Sequence, residues 1–332
     1  MWGTSTGFVT LDELTGGYHK GEVFTLGART SHGKSAFATQ SLFKIAMNEG
    51  IRESEGEQGK VNVLFSPEMS AREILLRQLA VWTKIPTKRI KTGEATEFEL
   101  EVWREAVGVM RLLDPFIQVH AQQAPSITEI IDHIERLHAT SPRPLGVVMI
   151  DYLQFLSSGM SGGEGYEHTS AIIREIRNCA NRLDIPIVLL SQLNRKAATA
   201  TEDDPPQLHE LEGSGKIEAR SDTVALLHRP IQDVVDSTLP QRARVDIVKN
   251  RNGEVGTLLF WYYPAYTWFE DKLDGGSLNV KNIGKGSSPV LSHDEGSTWA
   301  GRVEQSEGSL RTESSASFED VLEEIVPYDT QE

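Results

Sequence analysis

An α/β fold, with a doubly wound and mostly parallel sheet carrying helices on both faces, is what three observations in this sequence predict. Short, near-continuous apolar runs recur along residues 1–271, with longer segments of helical period between them. One of those runs ends in a Gly-Lys-Ser loop that opens into an amphipathic stretch, and acidic or amide residues follow several others. A hydrophobic share of 39% and a charged share of 24% over 332 residues belong to a chain that can bury a full core.

The first five strands are expected at Val23 to Leu26, Val61 to Phe65, Ile117 to His120, Gly146 to Ile150 and Ile187 to Leu190. Most of them are near-continuous apolar runs, as a strand buried on both faces must be. Three more are expected at Thr223 to Leu227, Val245 to Val248 and Thr257 to Trp261. Among the helices, Ala36 to Met47 follows the Gly-Lys-Ser loop. A second opens on Ser70 and Glu73, which have capping-box spacing, and presents Ile74, Leu75, Leu79 and Trp82 on one face. A third carries the stripe Ile172, Ile173, Ile176, Ala180 and Leu183. No internal repeat is visible, which argues against a solenoid or propeller.

Residues 1–271 therefore read as one domain and 272–332 as a different material. The latter stretch is rich in Gly, Ser and Glu, with five basic and twelve acidic side chains. It has too little apolar surface to offset the entropy of ordering, so a mostly disordered tail is expected. Within it, 318–326 has apolar residues at helical spacing in an acidic setting, a short amphipathic helix suited to lying in a partner's groove or packing on its own domain.

The net charge of −15 disfavours a protein that coats a polyanion with its whole surface, while leaving room for a local basic path. Cys179 is the only cysteine, so no intramolecular disulfide can form and no C-x-x-C zinc site exists. The longest apolar stretch, around Val147 to Leu156, is broken by Asp151 and is too short to span a bilayer. Met1 to Ser5 lacks the features of a signal peptide, and a cytoplasmic location is expected.

The chemistry-bearing segments all follow apolar strands. Ala28-Arg29-Thr30-Ser31-His32-Gly33-Lys34-Ser35 has the strand and helix context of a phosphate loop. In such a loop backbone N–H groups converge on the β-phosphate, Lys34 reaches the β- and γ-oxygens, and the Ser35 hydroxyl ligates Mg²⁺. Ala28 stands where the common pattern has Gly, so the loop must enter in a conformation that tolerates a Cβ. Asp151, ending Met149-Ile150-Asp151, is placed to hold Mg²⁺ through water, or simply to cap a turn. Glu68 in Ser66-Pro67-Glu68-Met69 can polarise an attacking water, or be one solvated acid among 48. Gln192, in Ser191-Gln192-Leu193-Asn194-Arg195, can sense a γ-phosphate through its amide. Lys249 and Arg251, in Lys249-Asn250-Arg251-Asn252-Gly253, would face one side on a strand, or form a solvated basic hairpin.

Taken in order, these segments resemble the RecA-like motor domain of the DnaB-type replicative helicases, from Ser5-Thr6-Gly7-Phe8 to about Glu270. Leu11-Asp12-Glu13-Leu14-Thr15-Gly16-Gly17, the loop from Ala28, Phe65 to Met69, Asp151-Tyr152-Leu153-Gln154, Leu190 to Arg195 and Lys249 to Gly253 carry the likeness. Ala at the loop's first position is common in that family. The resemblance implies a RecA-like P-loop ATPase that assembles into a ring, with six subunits, and uses ATP and Mg²⁺ to move along single-stranded DNA and separate duplex during replication. It implies Glu68 as base, Gln192 as coupling residue, Arg251 as a finger acting on the neighbouring subunit's ATP, and Lys249 beside it on the γ-phosphate. It places DNA contact on the segment of Gly213, Ser214, Gly215 and Lys216. Two departures stand out: Glu212 occupies a position where Arg is usual, and the family's N-terminal collar domain and linker helix have no counterpart before the motor. Ring assembly would then rest on motor contacts, ATP, DNA or a collar from another chain, with loader, primase or collar protein as a partner for the tail. Two other readings share the phosphate loop: a recombination ATPase of the RecA and RadA kind, and a non-motor ATP switch that assembles on a replication complex.

Overall fold

The structure is a computed structural model and describes residues 3–121, 125–151, 166–193, 205–211, 214–230 and 237–272. Every expected strand forms: β1 (Val23–Ala28), β2 (Val61–Phe65), β3 (Ile117–His120), β4 (Leu145–Ile150), β5 (Ile187–Gln192), β6 (Thr223–His228), β7 (Gln241–Asn250) and β8 (Gly256–Tyr263). A ninth, β9 (Trp268–Asp271), was not expected. All nine join one sheet in the order β3-β2-β4-β5-β1-β6-β7-β8-β9. The first six are mutually parallel, and β7, β8 and β9 extend the sheet antiparallel.

Successive residues of the central strands feed opposite faces of the sheet, which is why their sequences are apolar without alternation. Val147, Met149, Val188 and Leu190 pack on one side with α2 (Lys34–Ser54), α3 (Ala71–Thr83) and α5 (Glu97–Arg111). Val148, Ile150, Ile187 and Leu189 pack on the other with α6 (Ile127–Thr140), α7 (Tyr166–Leu183) and α8 (Ser214–Arg220). Short helices α1 (Val9–Thr15) and α4 (Thr87–Lys91) complete the first layer. There Phe8 stacks on Phe37 with centroids 4.3 Å apart, and Phe260 meets both edge-on.

The expected capping box is present: Ser70 Oγ accepts from Glu73 N, and the Glu73 carboxylate accepts from Ser70 N, closing the open end of α3. Two more boxes, Thr96 with Glu99 and Ser126 with Glu129, start α5 and α6. Trp82 departs from expectation. It lies on α3 but is 43% exposed, whereas Ile74, Leu75 and Leu79 are buried. In the α7 stripe, Ile172, Ile173, Ile176 and Ala180 are buried and Leu183 is half-buried. The acidic stretch 273–332 with its 318–326 segment, Asn194, Arg195, Glu212 and Gly213 lie outside the described residues.

Candidate nucleotide site and a distant cation pair

Parallel register brings the chemistry-bearing residues to one edge of the sheet. Ala28, last in β1, pairs with Gln192, last in β5; Phe65, last in β2, pairs with Ile150, last in β4. The phosphate loop, Glu68, Asp151 and Gln192 therefore all emerge at the carboxyl edge of the strands, where an open parallel sheet forms its crevice. Asp151 N donates to Phe65 O at 2.8 Å, which fixes the Asp151 backbone beside the Ser66 to Glu68 turn.

Ala28 is buried and extended within β1, which explains how the loop accepts a Cβ at its entry. Past it the chain turns tightly: Ser31 has φ 66° and Gly33 φ 93°, both left-handed. A side chain at Gly33 would be strained by that φ and would also meet the Phe269 ring at 2.7 Å. His32 N donates to Arg29 O at 3.2 Å, and α2 begins with Phe37 N donating to Gly33 O at 2.8 Å. Arg29 pairs with Glu210 at 3.7 Å. Arg229, to which the sequence offered no pointer, braces the loop: its guanidinium donates to Ser31 O at 2.5 Å, its N–H donates to His32 Nδ1 at 3.1 Å, and it lies over the Tyr262 ring.

Lys34 Nζ lies 3.3 Å from Asp151 Oδ1, and both side chains are almost wholly buried. Burial pulls the Lys34 ammonium below the ordinary lysine range, while Asp151 and the more distant charge of Glu68 act the other way. Glu68 itself is exposed, open to the solvent from which a water would come. Gln192 Nε2 donates to Thr30 Oγ1, so the amide already touches the loop whose contents it would sense. The Ser35 hydroxyl and the Asp151 carboxylate are oxygen donors suited to a hard cation, and buried Asp151 Oδ1 has the Lys34 ion pair alone among the described residues. These residues fit Mg²⁺.

Two histidines near this edge are held neutral. Burial first, then His228, Arg229 and Arg29, push His32 down from 6.5 to about 4. Burial and His133 push His120 down to about 3. The unfolded chain takes up these protons as pH falls through about 6.5, and the folded chain does not. Stability from both groups is therefore complete above 6.5 and is lost progressively as pH falls toward 4. The expected result is a melting temperature that drops between pH 7 and pH 5, with a shallower drop in His120→Phe, which keeps the stack on Phe65. Equal drops in the two proteins would remove His120 from this account.

Lys249 and Arg251 are not brought to this edge. The strand β7 runs two residues beyond its expected end, so Lys249 lies within it and Arg251 just after it. Asn250 pairs with Thr223, which pairs with Phe24 near the start of β1. Both cations turn to the same side, toward α8. Lys249 Nζ donates to Glu218 O and Ser221 O, and Arg251 donates to Ala219 O and Asp222 Oδ1. They thus cap the carboxyl end of α8, whose carbonyls would otherwise lack donors. The other end of α8 holds Ser214, Gly215 and Lys216 in its first turn, with Gly215 exposed. Leu211, just before it, bridges to Leu193 after β5, so α8 starts at the phosphate edge and finishes at the opposite one.

The model of the DnaB-like helicase C terminal domain family matches residues 3–271. The chain is 32% identical over 271 residues to the replicative DNA helicase DnaC of Bacillus subtilis (strain 168), covering 80% of this chain and 56% of that relative. It thus spans little more than half the length of the curated relative it matches. Among solved structures, an ATPase domain superposes with a TM-score of 0.71 at 27% identity, covering 81% of this chain and 91% of that one. A DnaB-like replicative helicase, described together with its interactions with primase, superposes with a TM-score of 0.70 at 26% identity, covering 81% and 63%. Among the described residues, no helix is long and apolar enough to cross a membrane.

Proposed function

Because the chain belongs to the DnaB-like helicase C-terminal domain family, we propose that it is the motor of a replicative helicase, hydrolysing ATP with Mg²⁺ to travel along single-stranded DNA and part the duplex ahead. Lys34 and the loop from Ala28 to Ser35 hold the phosphates, Ser35 and Asp151 hold the metal, Glu68 orients the attacking water and Gln192 reads the γ-phosphate. When bound, Mg²⁺ supplies neutralisation of charge on the phosphate oxygens.

One observation carries the reading: Lys249 and Arg251, the cations this reading assigns to phosphoryl transfer, stand at the edge of the sheet opposite their own loop. β1 has six residues, and at about 3.3 Å per residue its ends are roughly 17 Å apart. An arginine side chain cannot cover that distance, which supports a role for Arg251 and Lys249 at a site on another subunit over a role at their own. Such a dependence favours a closed ring, here a hexamer, in which each interface is a complete active site. Gly213, Ser214, Gly215 and Lys216 contact the strand. The acidic tail, through 318–326, docks a replication partner such as a loader, primase or collar protein.

Steady-state ATP hydrolysis with Mg²⁺, with and without single-stranded DNA and across protein concentrations, tests the proposal. The expected result is strong stimulation by DNA and activity rising more steeply than protein concentration. Hydrolysis indifferent to DNA and linear in protein would overturn it in favour of an ATP switch.

A further inference from the structure

The buried carboxylate of Asp222 is the junction on which the cation pair depends, and nothing in its sequence setting, Ser221-Asp222-Thr223, announces it. Asp222 is 2% exposed. Its Oδ2 accepts from Val23 N at 3.0 Å and faces Arg177 of α7, while its Oδ1 accepts from Arg251 at 3.1 Å. Its backbone is equally engaged: Asp222 N donates to Val23 O at 2.9 Å, and Asp222 O accepts from Arg251 N at 3.0 Å. Arg251 is therefore gripped at main chain and side chain by one residue. The turn behind it is pinned by Asn252 Nδ2, which donates to both carboxylate oxygens of Glu22 at 2.9 and 2.8 Å.

This arrangement answers a physical need. The Arg251 side chain is 47% exposed on a surface turn, and a long cation in that position samples many rotamers unless something restrains it. A group that stabilises a developing charge contributes most when it is oriented before the reaction begins. A buried, doubly paired carboxylate anchored on a strand gives that orientation. The strand is β1, which begins at Val23 and ends in the chain's own phosphate loop. Lys249 is held instead by the carbonyls of Glu218 and Ser221, so loss of the Asp222 charge acts on Arg251 and leaves Lys249 in place.

We infer that Asp222 is a positioning residue, whose carboxylate, fixed on the first N–H of β1 and on Arg177, holds the Arg251 guanidinium in the orientation offered to the neighbouring subunit's nucleotide. The inference rests on the trans role proposed above for Arg251, and the test separates the two. Asp222→Asn keeps an acceptor for Val23 N and removes the charge. In the full chain, its DNA-stimulated kcat is expected to fall about 10- to 100-fold, the worth of one charge-assisted hydrogen bond, with KM for ATP unchanged. Mixing it with a Lys34→Ala chain, whose own site is dead and whose finger is intact, restores activity at interfaces that join a sound site to a sound finger. Adding Asp222→Asn to Arg251→Ala costs nothing further, because the first residue acts through the second. If Asp222→Asn proves too unstable to assemble, Asp222→Glu, which keeps the charge one methylene displaced, is expected to give the same pattern with a smaller loss. Full activity in the variant that is measured, or a loss that Lys34→Ala does not rescue while it does rescue Arg251→Ala, overturns the positioning role. Failure to rescue Arg251→Ala overturns the trans reading itself.

Discussion

Arg251→Ala is expected to bind ATP with unchanged affinity and to hydrolyse it about 10³ to 10⁵ times more slowly, the range a finger supplied in trans contributes. Binding survives because Lys34, Asp151 and the loop lie at the other edge of the sheet from Arg251. The fold survives because the carboxylate left behind is not orphaned: Asp222 keeps Arg177 and the N–H of Val23. Removing a half-exposed cation that donates to a helix carbonyl and a buried carboxylate costs about 1 to 3 kcal/mol, which the fold withstands. Nucleotide titration, single-turnover hydrolysis and thermal melting of the same preparation check the three statements separately. Turnover near that of the unaltered chain would remove Arg251 from the chemistry. Arg251→Lys is expected to recover little, because an ammonium cannot reproduce the fork that now spans Ala219 O and Asp222 Oδ1.

What the sequence made legible was local. A phosphate loop is written in consecutive residues, and a strand buried on both faces is written as an apolar run, so Lys34, Ser35 and eight strands could be placed without coordinates. The carboxyl-edge residues followed, since strand ends in a parallel sheet converge. Pairings between distant segments left no such trace. β9 has four residues, and beyond its pairing with β8 it is pinned by Gln40 of α2, whose side chain donates to Phe269 O at 2.6 Å and accepts from Phe269 N at 2.8 Å. Trp82 satisfies helical periodicity, yet periodicity says which face a residue is on and not whether anything covers it. Arg229 and Asp222 are ordinary charged residues in sequence. Their roles arise only when β6 is laid beside β1, which sets Asp222 at one end of the phosphate-loop strand and Arg229 at the other.

The second large effect is expected at Asp151, and it distinguishes a site built for a ligand from one built for stability. Lys34 and Asp151 are a buried ion pair. Asp151→Asn leaves the ammonium without its carboxylate, a change that costs about 3 to 5 kcal/mol when a buried pair is broken from one side. The loss has a definite pH dependence. Lys34 is already below the ordinary lysine range because of burial, and without Asp151 it falls further, so once the folded lysine loses its proton the unfolded chain binds the extra one, and stability rises with pH until the unfolded lysine is neutral as well. Urea unfolding of the two proteins is expected to differ more at pH 6 than at pH 9, and a gap that does not change with pH would refute the pairing. The double replacement Lys34→Met with Asp151→Leu is expected to be close to the unaltered chain in stability, since apolar side chains of similar volume replace a buried pair at little cost. It is also expected to hydrolyse no ATP. If that variant folds well and does no chemistry, the two charges are retained for binding and not for stability: on the reading proposed above, Lys34 would hold the phosphates and Asp151 the metal, and two charges that are expensive to bury would each gain a partner in the ligand.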